Sequence, residues 1–413
     1  MRHIFLLTIG FPYGNSEPFI SNELRFCDNL TIVSSYIGKD VSYDLSKTNN
    51  VEVWHLDSPF FKGNKFSFFV KAISSFFSKY FWIELFGSDI KPLNFKKIKQ
   101  LISAITKARA IFLYCSKMIK KLGISGNDCC FYSYWMNHLG IATIMLRNKF
   151  GGIAVSRCHG YDLYKRPENN NYVSFQKYLS KSLNYVLPIS KDGEEIICSI
   201  LGKDSSKKVM LSRLGTFDEG LNPPIGSNNK FVVVSCSNIV SLKRIDLIFR
   251  SLTLIEGRKV EWHHFGDGPN YDSVFKMIKN TESNIEVIFH GRQPNGVVLE
   301  FYKYNHVDLF INLSISEGIP VSMMEAQSFG IPCLATDVGG THEIVNNKNG
   351  WLVEKTWDDN QIARVLNKIV SMTPEEINKF RLESRASWRA NYYANCNYSR
   401  FYSFLGDNDE KKD

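Results

Sequence analysis

Residues Ser314–Glu354 read SISEGIPVSMMEAQSFGIPCLATDVGGTHEIVNNKNGWLVE, and this stretch decides the fold. The apolar run just before it predicts a buried strand, and a glycine-containing loop then leads into a helix predicted over Pro320–Phe329. Pro320 suits the first helical position, because the amide hydrogen that proline lacks would have no partner there. A second strand and a second helix follow. Strands that alternate with helices predict a mostly parallel sheet.

The same alternation runs through the whole chain. Short runs rich in Val, Ile and Tyr predict strands in the N-terminal half at Ile4–Thr8, Leu30–Ser34, Val51–Trp54, Cys130–Tyr134, Ile153–Arg157 and Tyr185–Pro188. Helical patterns between them include Phe19–Cys27, Asn137–Lys149 and Lys191–Leu201. After a polar Pro-Pro stretch at 216–229, strands are predicted again at Phe231–Cys236, Val260–Phe265, Ile285–Phe289 and Val307–Ile311. The sequence therefore predicts an α/β fold.

At 413 residues the chain is too long for one compact core. We predict an N-terminal domain over residues 1–214, a C-terminal domain over 215–385, and a helical tail over 386–413 that crosses back to the N-terminal domain. Both domains are predicted to be doubly wound and Rossmann-like, facing each other across a cleft. In such sheets ligands bind at the carboxyl ends of the strands.

Apolar runs, the N-terminal residues and the cysteines together indicate the cellular compartment of the protein. No apolar run reaches the roughly 18 residues of a membrane-spanning helix, and the N-terminus shows no cleavage site of a signal peptide. The nine cysteines are scattered without metal-ligand spacing, which is typical of reduced thiols. A cytoplasmic protein is therefore expected.

The formal net charge of +9 is a clue to partners. Much of the excess lies between Phe60 and Leu122, where lysines interleave with Phe, Ile and Leu at helical spacing. Two interpretations stay open: an interfacial amphipathic helix on an anionic membrane surface, or core-facing helices with solvated lysines. The first would place the protein peripherally on the inner face of the membrane. No aromatic signature of RNA binding accompanies the charge, so nucleic acid is not an expected partner.

Two glutamates of the opening stretch suit an elongated ligand. Gly318 lets the backbone approach a ligand closely, and the free N–H groups of a helix N-terminus favour a diphosphate. Glu325 lies eight residues after Glu317, a little over two helical turns, so both carboxylates can address the same ligand.

The residues around these two glutamates resemble the signature of a known family. E-x7-E within S-E-G-I-P-V-S-M-M-E-A, followed by G-I-P, V-G-G-x-x-E-I-V and N-G-W-L-V, resembles the signature of the retaining glycosyltransferase family 4 (glycosyl transferases group 1) on the GT-B fold. The resemblance implies that Glu325 binds the ribose hydroxyls of a nucleotide and that Glu317 lies near the anomeric carbon of the donor sugar. The backbone contacts to sugar and phosphates would come from Gly318, Ile319, Pro320 and Val321.

A second loop, VVVSCSNIVSLKRIDLIF at 232–249, matches the family in part. The family carries there an Arg and, shortly after it, a Lys that hold the leaving diphosphate. Lys243 matches this Lys, whereas the Arg position falls on Ser237 or Asn238. Whether Arg244, normally a Gly in the family, supplies the missing charge or points elsewhere stays open. So does the plainer possibility that Lys243 and Arg244 are a pair of solvated cations.

Other predicted donor residues are the glycines of a strand-to-helix turn, Gly266 and Gly268, which would let the nucleotide lie close. In the N-terminal half, RCHGYDLY places His159 and Asp162 just past a strand, and in related enzymes this His faces the transferred sugar. The loop GFPYGNSEPFISNEL, with Gly14 and Glu17, is expected near the acceptor or donor phosphate, or else is a simple capped turn. Another strand is followed by two aromatic residues that either stack on an acceptor sugar or belong to the core, Tyr134 and Trp135.

The expected activity is retaining transfer of a hexose-type sugar from a nucleotide diphosphate sugar to a glycan or lipid-linked acceptor, in cell-surface polysaccharide or lipopolysaccharide synthesis. No D-x-D lies at a strand end, so neither metal nor cofactor is expected. Glu317 and His159 would position the sugar while Lys243 stabilises the departing diphosphate. The alternatives are a nucleotide-sugar epimerase of the same fold and a non-catalytic nucleotide-sugar-binding protein.

Overall fold

The computed structural model describes residues 2–13, 17–27, 29–35, 51–56, 73–87, 90, 94–165, 170–224, 230–283 and 285–407. They fall into two compact units. The first unit joins the chain up to Arg213 with the segment from Tyr398 onward, and the second is Leu214–Asn397. The tail was predicted to begin at residue 386, but residues 386–397 belong to the second unit.

The described strands of the first unit form a six-stranded parallel sheet in the order β3-β2-β1-β4-β5-β6. The strands are β1 His3–Thr8, β2 Leu30–Ser34, β3 Val51–His55, β4 Cys129–Ser133, β5 Ile153–Cys158 and β6 Tyr185–Pro188. Its helices include α1 Lys79–Gly87, α2 Phe95–Leu122, α3 His138–Phe150, α4 Gly160–Leu163, α5 Gln176–Ser182, α6 Lys191–Leu201 and α7 Ser205–Lys208. Chain order reverses between β1 and β4, so the loops after these two strands meet at a topological switch point.

The second unit repeats the design with the described order β12-β11-β10-β7-β8-β9, all parallel. The strands are β7 Lys230–Cys236, β8 Lys259–Phe265, β9 Ile285–Gly291, β10 Leu309–Asn312, β11 Cys333–Thr336 and β12 Gly350–Val353. Its helices include α8 Ile245–Thr253, α9 Tyr271–Lys279, α10 Asn295–Tyr304, α11 Val321–Ser328, α12 Thr341–Ile344, α13 Asp359–Val370 and α14 Pro374–Asn391. Here the switch point lies between β7 and β10. The α/β class and its two doubly wound sheets are thereby confirmed.

The predicted helix at Phe19–Cys27 is instead two 3-10 helices, Pro18–Asn22 and Leu24–Phe26. Backbone bonds three residues apart, from Ile20 N to Glu17 O and from Glu23 N to Ile20 O, tighten the turns. The three-residue period places Ile20 and Glu23 on the same inward side, and both are fully buried.

Helix α2, in the basic segment 60–122, packs one side against the core of the first unit. Its buried residues recur every three or four positions, namely Leu101, Ile105, Ala108, Ile111, Cys115 and Ile119. Asn94 caps its start through a bond from Lys97 N to Oδ1, and Gly123 closes it at a φ of 64°. Of the two interpretations left open for 60–122, α2 follows the core-facing one; residues 57–72 lie outside the described residues.

The last helix, α15 (Ala394–Gly406), contributes aromatic residues to the first unit. Arg157 and Glu23 form a fully buried ion pair beneath it, with Arg157 Nη1 3.0 and 2.9 Å from the two carboxylate oxygens. The guanidinium also lies 4.1 Å from the ring centroid of Phe401. None of the described helices has both the length and the apolar character needed to cross a bilayer.

Candidate active site

The switch point of the second unit brings two predicted site residues together. Lys243 ends a 3-10 turn, Ser241–Lys243, in the loop after β7, and Glu317 lies in the loop after β10. Because β7 and β10 are parallel neighbours, both loops leave the same edge of the sheet. A backbone bond from Ile315 N to Leu242 O, 2.8 Å, joins the loops.

Lys243 and Glu317 form a close ion pair. Lys243 Nζ lies 2.5 Å from Glu317 Oε1, and the two side chains are 21% and 11% exposed. The same oxygen accepts a bond of 3.2 Å from Asn312 Nδ2, at the carboxyl end of β10. The pair therefore holds an ammonium group at a largely buried strand end, where a charge interacts more strongly than at the open surface. Asn312 was missed from the sequence, since an Asn at a strand end has no signature of its own.

Glu325 is a buried carboxyl group in α11. It is 7% exposed, and burial raises its pKa to about 7. Asn295 Nδ2, at the start of α10, donates a 2.7 Å bond to Glu325 Oε1 and opposes this rise. The thiol of Cys236, the last residue of β7, responds to both charges: besides burial, Glu325 raises its pKa and Lys243 lowers it. Glu325 and Lys243 therefore both lie close enough to the end of β7 to affect the pKa of Cys236.

Two glycines of the V-G-G motif hold the Glu317 loop. Gly340 N donates to Gly318 O at 2.9 Å, and a Cβ at Gly339 would lie 2.0 Å from Glu317 O. Gly339 also has a φ of +52°, which L side chains rarely adopt. The V-G-G motif therefore sets the position of Glu317, a role that the sequence pattern alone did not assign.

Helix α11 begins at Val321, so Pro320 caps the helix and is not its first residue. Met323 N donates to Pro320 O at 3.1 Å. Ile319 is 6% exposed, whereas Val321 and Gly318 are half-buried. Residues 318–321 thus link Glu317 to the start of α11, and the role of their backbone towards a ligand stays a prediction.

Arg244 holds loops of its own unit. Its guanidinium donates to Leu313 O at 2.5 Å and to Thr336 Oγ1 at 3.0 Å, and a third bond of 2.8 Å reaches Lys355 O. Burial lowers its pKa. Arg244 is therefore not a freely solvated cation, because its guanidinium braces the ends of β10 and β11; whether it also contacts a diphosphate stays a prediction.

The two glycines after β8 allow the backbone of the loop after β7 to pack closely against them. A Cβ at Gly266 would lie 1.9 Å from Ser237 O, and one at Gly268 would lie 2.4 Å from Ile239 O. That these glycines let a nucleotide lie close stays a prediction. They let the 237–239 loop, which precedes Lys243, pack against the turn after β8.

In the first unit, His159 follows β5 and is 7% exposed. Its ring packs against both Tyr134 and Trp135, with centroid distances of 4.8 and 4.5 Å. Within the described ranges neither ring nitrogen has a hydrogen-bond partner, and Asp162 Oδ2 is 3.9 Å from Nδ1. Burial lowers the pKa of His159, so the ring is neutral at pH 7. Buried polar atoms normally have partners, so the two ring nitrogens are available to a water molecule or to a ligand.

Asp162 and Glu17 both brace this region. Asp162 Oδ2 accepts the backbone N–H of His159 at 3.3 Å. Glu17 is 2% exposed; its Oε2 accepts Gly10 N at 2.7 Å, and its Oε1 accepts Trp135 Nε1 at 2.5 Å. Glu17 therefore ties the loop after β1 to the indole that packs on the His159 ring.

Tyr134 is fully buried, which favours the core interpretation for its ring over stacking on an acceptor sugar. Gly14, the remaining predicted acceptor residue, lies outside the described residues. Across the described segments, no three His, Cys, Asp or Glu side chains group as a metal site would require.

Comparisons with known proteins identify the class. Residues 222–392 match the family model "Glycosyl transferases group 1". The O-antigen biosynthesis glycosyltransferase WbnH of Escherichia coli is 31% identical over 197 residues, which cover 47% of this chain and 53% of WbnH. The chain thus spans about half the length of the curated relatives it matches.

Solved structures match over nearly the whole chain. HepE of Anabaena, in complex with UDP and glucose, has a TM-score of 0.67 at 14% identity and covers 98% of this chain and 99% of its own. A TarM variant of S. aureus, in complex with fondaparinux, α-GlcNAc-glycerol and UDP, has a TM-score of 0.66 at 16% identity, covering 98% and 100%.

The two parallel sheets and these matches define a two-domain protein of the GT-B fold. Residues 222–392 of its second unit match the glycosyl transferases group 1 family, in agreement with the resemblance seen in Ser314–Glu354.

Proposed function

We propose that this protein is a retaining, metal-independent glycosyltransferase that moves a hexose-type sugar from a nucleotide diphosphate sugar to a glycan or lipid-linked acceptor. The observation that carries the proposal is the Lys243–Glu317 ion pair at the β7–β10 switch point of a glycosyl transferases group 1 domain, with buried Glu325 eight residues further on. A cation, two carboxylates and a nearby helix N-terminus are the groups that a diphosphate-linked sugar and its ribose require.

On the donor side, Glu325 accepts hydrogen bonds from the ribose hydroxyls, and Asn295 holds its carboxyl group in place. The donor diphosphate competes with Glu317 for the ammonium group of Lys243. Once displaced, Glu317 is free to accept hydrogen bonds from hydroxyls of the donor sugar. The complex of HepE with UDP and glucose supports a nucleotide sugar as donor.

In the proposed reaction the anomeric carbon loses its bond to the β-phosphate oxygen and gains a bond to the acceptor oxygen on the same face. The departing phosphate oxygen takes the acceptor's proton, so no enzyme nucleophile is needed. Lys243 stabilises the charge that grows on the diphosphate, the duty that a metal ion performs elsewhere. His159, neutral and with both ring nitrogens unpaired among the described residues, contacts hydroxyls of the transferred sugar.

The proposed setting is cell-surface polysaccharide or lipopolysaccharide synthesis on the cytoplasmic face of the membrane. The name of WbnH, an O-antigen biosynthesis glycosyltransferase, supports this setting. TarM, bound to UDP and to a GlcNAc-glycerol conjugate, supports a glycan-type acceptor.

The experiment begins with a thermal-shift screen of nucleotides and nucleotide sugars, because a ligand of the native state raises the melting temperature. The best donor is then incubated with candidate acceptors, with and without EDTA, and the anomer formed is read by NMR. We expect unchanged activity in EDTA and a retained anomeric configuration. Sugar released without an acceptor would instead support the epimerase alternative.

A matched pair of variants tests the site. Lys243→Gln is expected to lower kcat about 100-fold or more, because the growing charge on the diphosphate loses its cation. Lys368→Gln replaces an exposed lysine of the same unit and is expected to keep wild-type activity. Full activity of Lys243→Gln would refute the assignment.

A further inference from the structure

Three loops of the first unit leave the same edge of its sheet, and one side chain from each contacts the next. Because β1, β4 and β5 are parallel neighbours, the loops after them are adjacent at the carboxyl ends of the strands. These loops carry Glu17, Trp135 and His159, in that order. The carboxylate of Glu17 contacts the Trp135 indole, and the indole contacts the His159 ring.

The Glu17 carboxylate is surrounded by hydrogen-bond donors. Its Oε2 accepts the backbone N–H groups of Gly10 and Phe11 at 2.7 and 2.8 Å. Its Oε1 accepts the backbone N–H of Ile9 at 3.3 Å and Trp135 Nε1 at 2.5 Å. Three consecutive backbone N–H groups form the kind of nest that binds anions, and here a side chain of the same protein supplies the anion. A carboxylate with four donors is held in one orientation, so the indole bound to it is held as well.

The orientation of the His159 ring depends on packing. Asp162 Oδ2 accepts the backbone N–H of His159, so this bond holds the main chain and not the ring. Among the described residues, neither ring nitrogen has a hydrogen-bond partner. The ring instead packs on Tyr134 and Trp135, at interplanar angles of 26° and 44°. Aromatic contacts favour particular relative orientations, so a fixed indole limits the planes that the imidazole can adopt.

Trp135 is the less enclosed of the two rings that contact His159. Tyr134 is fully buried, whereas Trp135 is half-buried. Phe19 packs edge-on against the indole, with the ring centroids 6.2 Å apart. Hydrogen bonds to an ionised group are stronger than those between neutral groups. The bond from Trp135 Nε1 to Glu17 therefore constrains the indole where packing leaves part of it exposed.

We propose that Glu17 is a positioning residue of the sugar-transfer reaction. Its carboxylate fixes the Trp135 indole, and the indole fixes the plane in which the His159 ring nitrogens face the transferred sugar. This role rests on the proposed function, in which His159 contacts that sugar. It extends the site to a buried carboxylate that itself touches no substrate.

The first test is kinetic. Glu17→Gln keeps the shape of the side chain but turns an amide NH₂ towards N–H donors, so it loosens the indole. We expect kcat to fall about tenfold or more, and the affinity for the nucleoside diphosphate product, assigned to the second unit, to stay within about twofold. Glu195→Gln, at an exposed position of α6, is the control and should match wild type. Wild-type kcat in Glu17→Gln, or equal losses of kcat and nucleotide affinity, would overturn the proposal.

A double-mutant cycle tests whether Glu17 acts through the indole. Trp135→Phe removes the indole N–H and keeps an aromatic ring. If both residues act through one bond, Glu17→Gln/Trp135→Phe should lose no more kcat than the slower single variant, within about twofold. Losses that multiply would show that Glu17 and Trp135 act independently, and the positioning role would then be wrong.

The bond also has a readout that does not depend on activity. In proton–nitrogen NMR spectra, the indole N–H signal of Trp135 is the one that Trp135→Phe removes. Glu17→Gln is expected to move this signal upfield, because the indole loses its ionised acceptor, and Glu195→Gln should leave it in place. A signal that Glu17→Gln does not move would contradict the contact on which the proposal depends.

Failure of the positioning role and failure of the proposed function can be told apart. Sugar transfer by wild type with an unchanged kcat in Glu17→Gln would refute the positioning role alone. If the indole signal moves as expected but wild type transfers no sugar from any donor, the proposed function is refuted, and the positioning role falls with it while the contact stands.

Discussion

The buried carboxyl group of Glu325 makes a quantitative prediction. Its pKa is raised from 4.5 to about 7 in the folded protein, so the folded state binds a proton more tightly than the unfolded state. The folded state is therefore favoured below pH 4.5, and this advantage is lost as the pH rises through about 7. Integrated from pH 5 to pH 8, the shift corresponds to a loss of stability of about 2–3 kcal/mol.

Glu325→Gln removes this ionisation while keeping the shape of the side chain. We expect the variant to gain about 2–3 kcal/mol over wild type between pH 5 and pH 8, a relative rise in Tm of about 5 to 10 °C. Differential scanning calorimetry across this range measures the gain. Glu383→Gln, at an exposed position of α14, is the control and should follow wild type at each pH.

Glu325→Gln is also expected to lower the affinity for the donor, because the ribose hydroxyls of the donor donate hydrogen bonds to the ionised carboxylate. Affinity of wild type for a nucleotide sugar, whose phosphodiester groups do not titrate in this range, should fall up to tenfold per pH unit below about pH 7. Calorimetric titration measures it. Asn295→Ala should move this midpoint to higher pH, since the Asn295 amide lowers the pKa of Glu325. Parallel stability curves for wild type and Glu325→Gln, together with pH-independent affinity, would refute the reasoning.

Two further predictions concern the packing around the sites. Gly339→Ala places a Cβ 2.0 Å from Glu317 O at a φ of +52°. We expect this variant to lose about 1–3 kcal/mol in unfolding free energy and to bind the donor more weakly. Gly296→Ala is the control, because open space surrounds Gly296, and it should change neither quantity. Equal melting temperatures for these two variants would contradict the close contact. Glu23→Gln leaves Arg157 buried without its counter-charge, and a loss of about 3–5 kcal/mol is expected in thermal unfolding; a loss below about 1 kcal/mol would show that the pair is not buried as described.

Much of the architecture was predictable because its signals are local. The strand expected at Tyr185–Pro188 is observed with those bounds, and the one expected at Ile153–Arg157 extends by a single residue. Apolar periodicity and turn residues act within a few positions of each other, so one sequence suffices to read them. The segment Ser314–Glu354 also pointed to the glycosyl transferases group 1 family, which the family match confirms.

Other features depended on partners far along the chain. The acceptors of Arg244 lie 69 to 111 positions away, and Glu17 receives the Trp135 indole across 118 positions. Neither spacing leaves a pattern in the sequence. The helix predicted at Phe19–Cys27 was wrong for the same reason, since the geometry of this segment is set by what packs against it.

By itself, the amino-acid sequence determined the order of strands and helices and the residue types at their carboxyl ends, because hydrophobic period and turn chemistry are properties of neighbouring residues. The tertiary structure decided which ends meet: the order β12-β11-β10-β7-β8-β9 places the Lys243 loop beside the Glu317 loop. It also decided which polar groups are buried with partners, as Glu84 is, and which are buried without them, as the His159 ring nitrogens are within the described ranges. Strand order and burial arise from contacts between distant segments, and no local pattern encodes them.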